Sequence, residues 1–465
     1  MRFVWPVLLL LLLLGAAFGP AALRPSQPAA RTLVILSPHW DGIKQEFRRG
    51  FEEHWKAKTG ETVRVEFWDV GGTGEIRRYV RERSRQVDWA KGEGIGVDLL
   101  FGGGTFDYET YYSSEGKLAR EGVKVSGGLL EAYEPSAARE GRIRGEVSGQ
   151  PLRDGQHRWH AACLSGFGIV KNRLVLERAK LPDVKTWDDL ARPELRGWVS
   201  CGDPTRSGSV HMAFEVILQA YGWERGWRAL TLMCANVVSF NEGGASVPRD
   251  VSLGQSAAGP CIDFYAAAPV RRQGATHVEF VFPEGYSVIT PDAIAILKHG
   301  PQPELARAFM DYVLGEPGQR LWYQKRGSEG GPREFDLERL PVWHELYDRG
   351  LPTFAAARPF DQGNAFPYDG KKGGARWGLL EDLLRATLID VHEDLKAAWA
   401  AAIAHGRADE LGPELGRPPL SEEEFAEVAK KLSGPRELNA QCTAWTGWAR
   451  KHYREVREKA ERGGR

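Results

Sequence analysis

The segment Cys201–Ser209 constrains the fold of this chain more than any other stretch of its sequence. It begins at the last residue of the short run 197–201, whose composition is typical of a buried strand. Apolar residues then recur at the spacing of one helix face, at Phe214, Ile217, Leu218 and Tyr221. The segment is therefore predicted to turn from a strand into a helix, with hydroxyls and glycines at the helix N-terminus. Free backbone N–H groups and the positive end of the helix dipole meet there, so the turn favours an anionic or strongly polar ligand.

Strands and helices alternate through the first part of the chain. The predicted strands Thr32–Leu36, Val63–Phe67 and Val97–Phe101 are separated by segments with the apolar spacing of helices. This alternation predicts an α/β fold, with a parallel or mixed sheet that helices cover on both sides. In such sheets the ligand lies beyond the carboxyl ends of the strands, and Ser37 and Gly103 follow two of these ends.

The length of 465 residues allows two or more domains with buried cores. A second α/β unit begins near Ala161, and the pattern is mostly helical from about Phe335. We predict two lobes whose loops converge on a cleft, because small-molecule sites prefer such clefts. The predicted divisions are a leader and linker at 1–30, lobe 1 at 31–160 and 285–340, lobe 2 at 161–284, and a helical C-terminal region at 341–465.

The N-terminal residues have the layout of a secretory signal peptide. Arg2 precedes the leucine-rich run Val7–Leu14, and the small residues Gly15–Ala17 follow. Cleavage is expected near Gly19 or Ala22, although the stretch 3–23 is long enough to remain as an anchor. Either outcome predicts export to the periplasm or another extracytoplasmic location.

The charge balance gives no support for nucleic-acid binding. The chain has 62 Lys and Arg residues and 62 Asp and Glu residues, so its formal net charge is zero. Nucleic-acid binders usually have a basic excess. We therefore expect no nucleic-acid partner.

Six motifs occur in an order that resembles one protein family. They are Ser37-Pro38-His39, Val97–Phe101, Thr186–Leu190, Asp203–Ser209, Phe282–Gly285 and Ala306–Leu314. Together with the leader, they make the chain similar to the solute-binding proteins of ABC importers. The similar group is type II, which includes binders of ferric iron, phosphonates and sugar phosphates. The resemblance covers roughly residues 32 to 330.

The resemblance implies a hinged, two-lobe binder that closes on its ligand and presents it to a membrane permease. Extended crossover strands near Cys163–Gly168 and Phe280–Gly285 would allow this hinge motion. Such a protein is not an enzyme, and we expect a monomer without a cofactor. The C-terminal region is longer than is usual in this family.

The hydroxyls of the opening segment are the strongest candidates for ligand contact, because capping a helix needs one hydroxyl and three are present. Lobe 2 would contribute Thr205, Ser207, Gly208, Ser209, Gly244, Ser246, Asp263 and Tyr265. Lobe 1 would contribute Ser37, His39, Gly103 and Thr105. The predicted ligand is a small phosphorylated or carboxylated organic anion.

Ferric iron is an alternative ligand. Iron binders of the resembled family use a histidine from the first loop, a carboxylate and an adjacent tyrosine pair. In this chain His39 and Tyr265 match that pattern, whereas Phe264 stands where the second tyrosine would be. A phenyl ring cannot ligate a metal, so the iron ligand set is incomplete.

Two other classes of protein remain as alternatives. A hydrolase would use Ser207 or Ser209 as its nucleophile, but no G-x-S-x-G elbow surrounds either serine. An exported solute sensor would bind a ligand without transport, and an uncleaved leader would favour it.

Overall fold

The computed structural model describes residues 31–462 apart from 114, 121, 148, 355–357, 361–365 and 433. The predicted leader lies outside these residues. Within the described ranges, every helix is too short or too polar to cross a bilayer.

Eleven strands occur in the described residues. They are β1 (Arg31–Leu36), β2 (Val63–Trp68), β3 (Leu99–Gly104), β4 (Glu146–Val147), β5 (Gln150–Pro151), β6 (His160–Asn172), β7 (Val199–Gly202), β8 (Val237–Asn241), β9 (Ala258–Ile262), β10 (Val278–Val281) and β11 (Ile289–Ile296). Nine of them form one mixed sheet in the order β2-β1-β3-β11-β6-β9-β7-β8, with β10 paired to β6. Strands β4 and β5 form a separate ribbon.

The helices cover this sheet and extend beyond it. They are α1 (Asp41–Thr59), α2 (Thr73–Ser84), α3 (Glu115–Arg120), α4 (Ser136–Arg139), α5 (Arg173–Arg178), α6 (Gly208–Tyr221), α7 (Trp223–Asn236), α8 (Ser246–Ser252), α9 (Asp263–Gln273), α10 (Pro303–Leu314), α11 (Glu316–Tyr323), α12 (Gly370–Leu384), α13 (His392–Ala404), α14 (Ala408–Leu415), α15 (Glu422–Lys431) and α16 (Pro435–Arg462). Short 3-10 helices lie at Trp89–Lys91, Trp187–Ala191, Pro193–Leu195 and His344–Asp348, and π-helices at Asp107–Tyr112 and Arg385–Ile389.

Helix α1 shows how the sequence pattern produces these elements. Its apolar residues Ile43, Phe47, Phe51 and Trp55 are buried on one side, as their spacing predicts. The helix ends at Gly60, which has a left-handed φ of 79° and donates its N–H to the Lys56 carbonyl.

Strand β6 connects the two lobes. It has 13 residues, all buried, which is typical of a strand covered on both faces. Its first half pairs antiparallel with β11 up to Gly166, and its second half pairs with β9 from Phe167 onward.

We call the part of the fold around β1, β2, β3 and β11 lobe 1, and the part around β7 to β10 lobe 2. The predicted crossover at Cys163–Gly168 lies inside strand β6, and the predicted two-lobe α/β class is confirmed.

Each lobe has its own apolar core. The core of lobe 1 includes Phe47, Phe51, Phe101 and Trp322. The core of lobe 2 includes Trp187, Phe214, Trp227 and Trp399.

The C-terminal region contributes to both lobes. Trp343, Leu346 and Tyr347 pack into the core of lobe 1. Leu383 of α12 and Tyr453 of α16 pack into the core of lobe 2. The chain thus passes from lobe 1 to lobe 2 once more before α12. The predicted helical extension is present, whereas the predicted domain boundaries stay predictions.

Candidate functional site

A cavity of about 420 Å³ lies between the two lobes. Lobe 1 lines it with loops that follow β1, β2 and β3, and lobe 2 with loops that follow β7 and β8. Ser165 of β6 and Asp292 of β11 form its base. The cavity therefore lies beyond the carboxyl ends of the parallel strands, where ligands of open α/β sheets bind.

The N-terminus of α6 forms the polar wall of lobe 2. Ser207 is the N-cap residue, but its side chain does not cap the helix. Its hydroxyl lies 3.1 Å from the Ser209 hydroxyl instead. The first N–H groups of a helix have no acceptor within the helix, so those of the first turn are available to a ligand. The wall therefore combines two hydroxyls with the positive end of a helix of 14 residues.

The loop 243–245, which follows β8, packs against this wall. A Cβ atom added at Gly244 would lie 2.9 Å from the Ser209 Oγ and 3.4 Å from the Ser207 Oγ. The backbone of Gly244 therefore approaches both hydroxyls closely, and a side chain there would displace them. The two loops make one concave, donor-rich surface.

Lobe 1 faces this surface through Thr73 at the start of α2. A Cβ atom at Gly208 would lie 2.5 Å from the Thr73 Oγ1, so the two lobes are in close contact here. Gly103, with a left-handed φ of 98°, lies on the other side of Thr73, where an added Cβ would be 3.1 Å from its methyl carbon. The segment Gly71–Gly74 is visible in the sequence, but nothing in its pattern shows that it faces Gly208.

A buried ionic cluster supports the base of the cavity. Asp292 accepts a hydrogen bond from the His39 Nε2 at 3.1 Å and further bonds from the Arg339 Nη2 and the Gly103 N–H. The Arg339 guanidinium is fully buried and lies 3.9 Å from the centre of the Phe264 ring. This cluster fixes the Gly103 turn and the base strand relative to each other.

The two titratable partners of this cluster shift in a consistent way. Burial alone would raise the pKa of Asp292, but Arg339 and His39 hold it below its ordinary value. Burial lowers the pKa of His39, although Asp292 opposes this effect. Asp292 is therefore an anion and His39 a neutral donor at neutral pH.

Eight of the twelve predicted contact residues line the cavity. They are His39, Gly103, Thr105, Ser207, Gly208, Ser209, Gly244 and Tyr265. Their role in ligand binding stays a prediction.

The other four are not among the lining residues in the described part of the chain. They are Ser37, Thr205, Ser246 and Asp263. The Ser37 hydroxyl accepts from the His39 N–H at 3.2 Å, and the Thr205 hydroxyl donates to Asp203 at 2.8 Å. Asp263 accepts from the Gly166 N–H at 2.8 Å. The side chains of Ser37, Thr205 and Asp263 thus support the loops and strands around the cavity.

The C-terminal region also lines the cavity, through Tyr368, Gly370, Gly374 and Trp377. Phe106 of lobe 1 lies beside them, with its ring stacked on Trp377 at 4.7 Å. Sequence reasoning did not find these residues, because helical periodicity does not show which cleft a distant helix reaches.

The arrangement is poorly suited to a bare metal ion. Among the described residues there is no group of three or more His, Cys, Asp or Glu side chains that could hold one. The His39 Nε2 is bonded to Asp292, and the Tyr265 ring packs 4.3 Å from Phe264.

Comparison with known proteins agrees with this description of the fold. Residues 125–329 match the family described as bacterial extracellular solute-binding protein. The phosphoglycerate transport regulatory protein PgtC of Salmonella typhimurium is 33% identical over 161 residues, which are 35% of this chain and 40% of PgtC. The match thus spans well under half the length of that relative.

Solved structures extend the similarity to most of the chain. The periplasmic binding protein AfuA of Actinobacillus pleuropneumoniae, with fructose-6-phosphate bound, has a TM-score of 0.61 at 18% identity and covers 78% of this chain and 99% of its own. The apo ferric ion-binding protein A of Pasteurella haemolytica has a TM-score of 0.54 at 15% identity and covers 76% and 97%. The predicted resemblance to type II periplasmic solute-binding proteins is confirmed.

Proposed function

We propose that this chain, which has the type II periplasmic-binding fold and matches bacterial extracellular solute-binding proteins over residues 125–329, is the solute-binding protein of an ABC importer. It captures a small organic anion, phosphorylated or carboxylated, in the cavity between its lobes. It then delivers this solute to a membrane permease and catalyses no reaction.

The donor-rich wall of lobe 2 is the observation that carries the proposal. The first turn of α6 offers backbone N–H groups and the hydroxyls of Ser207 and Ser209, while Gly244 brings a second loop against them. Helix N-termini attract anions through both their N–H groups and their dipole. This wall would therefore hold the phosphate or carboxylate group.

The wall of lobe 1 has acceptors for the rest of the solute. Glu75, Asp107 and Asp292 line the cavity. Arg77 donates to Asp107 at 2.9 Å, and Arg339 pairs with Asp292, so the charges of these two carboxylates are compensated. Carboxylate oxygens next to a donor-rich wall suit a molecule that carries hydroxyl groups beside its anionic group.

The N-terminal sequence supports an extracytoplasmic location. Its charged start, apolar run and small residues have the order of an export signal. The importer's permease would be the partner at the membrane, and the chain would act as a monomer without a cofactor.

The Ser207→Ala/Ser209→Ala double variant should lose ligand stabilisation. Each hydroxyl would give a charge-assisted hydrogen bond, so we expect Kd to rise at least about 100-fold. The test is the shift in melting temperature produced by fructose 6-phosphate, 3-phosphoglycerate, citrate and inorganic phosphate. Ser252→Ala is the matched control, because the Ser252 hydroxyl donates to the Pro248 carbonyl in α8 and lies outside the cavity. An unchanged shift in the double variant would show that the anion binds elsewhere.

Adding a ferric salt to the protein tests the alternative ligand, which is ferric iron. The proposal predicts that the loaded protein stays colourless. A visible tyrosinate-to-iron band that disappears in Tyr265→Phe would identify an iron binder instead.

A further inference from the structure

Helix α12 belongs to lobe 2 by its packing. Leu380, Leu383 and Leu384 are fully buried in the core of that lobe, together with Phe214 and Leu218 of α6. Burial of this many apolar side chains fixes the helix to lobe 2. Any motion between the lobes would therefore carry α12 along with lobe 2.

Trp377, one helical turn before these leucines, reaches across the cleft. The Trp377 indole stacks on Phe106 of lobe 1 at 4.7 Å with an angle of 9° between the rings. It also stacks on His211 of lobe 2 at 4.0 Å and 27°. One side chain thus joins the lobes at the edge of the cavity that it lines.

Glu381 lies one helical turn after Trp377 and makes an ion pair across the cleft. Both of its carboxylate oxygens accept from the Arg77 Nη2 at 3.2 Å, and one accepts from the Trp377 Nε1 at 3.0 Å. Arg77 belongs to α2 of lobe 1 and also donates to Asp107 at 2.9 Å. Both side chains of the ion pair are only 19% exposed, so water screens the interaction weakly.

The segment that leads into α12 contacts both lobes as well. The Tyr368 carbonyl accepts from Gln150 of lobe 1 at 2.7 Å. The Asp369 N–H donates to Gln219 of lobe 2 at 2.8 Å. Contacts to lobe 1 thus occur both just before α12 and within it.

We infer that α12 holds the lobes closed over the ligand, and that the Arg77–Glu381 ion pair stabilises the closed arrangement. The inference rests on the proposed function only in taking the cavity as the ligand site. Glu381 does not line the cavity, so it acts as a positioning residue. The contacts of Trp377 and Glu381 with lobe 1 form when the cleft is closed and are lost when it opens.

The test is the distance between spin labels on the two lobes, measured by pulsed electron resonance. The labels are placed at Glu61→Cys on lobe 1 and Glu177→Cys on lobe 2, both exposed, in a Cys442→Ser background. The four other cysteines are buried. Distances are recorded for the full chain without ligand and with inorganic phosphate.

Glu381→Gln is the test variant, because glutamine can still accept from Trp377 but loses the charge that attracts Arg77. Glu422→Gln is the matched control. Glu422 of α15 pairs with Lys372 of α12 at 2.7 Å and with Arg376, so the same substitution removes ion pairs of the same helix without crossing the cleft.

We expect Glu381→Gln to add a second distance population and to reduce the closed population about tenfold, since one charge-assisted contact is lost. Glu422→Gln should match the parent protein. The inference is overturned if Glu381→Gln has the parent distances, or if both variants open equally. The distances without ligand decide the role of α12 by themselves, whereas failure of the organic anions to bind would count against the proposed function instead.

Discussion

Replacing Gly208 with aspartate should abolish the binding of anionic solutes. The new carboxylate would stand in the first turn of α6, where the anion of the solute is proposed to bind. Like charges in such a position cost several kcal/mol, so we expect Kd to rise at least about 100-fold. The Cβ atom would also lie 2.5 Å from the Thr73 Oγ1 and would push the lobes apart.

The measurement is the melting shift produced by fructose 6-phosphate, 3-phosphoglycerate and citrate. Gly378→Asp is the control, because this glycine is exposed on α12 and nothing lies within 4 Å of an added Cβ atom. Circular dichroism of the ligand-free variants shows whether both are folded. If Gly208→Asp kept the shift of the parent protein, the anion site would have to be moved away from α6.

Replacing Arg339 with methionine should destabilise the fold by about 3 to 5 kcal/mol, because it leaves the buried Asp292 carboxylate without its charge partner. Arg339 is fully buried and also donates to the Ser165 hydroxyl at 2.7 Å. The measurement is the free energy of unfolding in urea.

Two further variants make this prediction specific. Adding Asp292→Asn to Arg339→Met should recover part of the loss, since the unpaired charge is removed. Arg333→Met breaks an exposed pair with Glu53 and should cost less than about 1 kcal/mol. Equal losses for Arg339→Met and Arg333→Met would mean that the ionic cluster does not stabilise the base of the cavity.

The fold was predictable because its signals are local. The apolar spacing of α1 and the strand-to-helix turn at Cys201–Ser209 each depend on a few neighbouring residues. The wall around Ser207 and Ser209 follows from the same turn. Strand β6 was predicted in part, as the crossover near Cys163–Gly168.

The remainder of the site depends on residues that are far apart in the sequence. Asp292 and Arg339 are 47 positions apart, and neither stands in a motif. Trp377 reaches the cavity only because α12 packs on lobe 2 after the chain has crossed between the lobes. Ser37 shows the opposite case, because it follows a strand end as predicted, yet its hydroxyl accepts from the His39 backbone. Strand ends locate a cavity, but tertiary contacts decide which side chains face it.

Isothermal titration of the full chain tests the central claim most directly. The panel consists of sugar phosphates, phosphonates and carboxylates, together with neutral counterparts such as fructose for fructose 6-phosphate and glycerol for glycerate. The account predicts that at least one anion binds with a stoichiometry of one, and that its neutral counterpart binds at least about 100-fold more weakly. It is contradicted if no anion of the panel binds, or if the neutral counterpart binds as tightly as the anion.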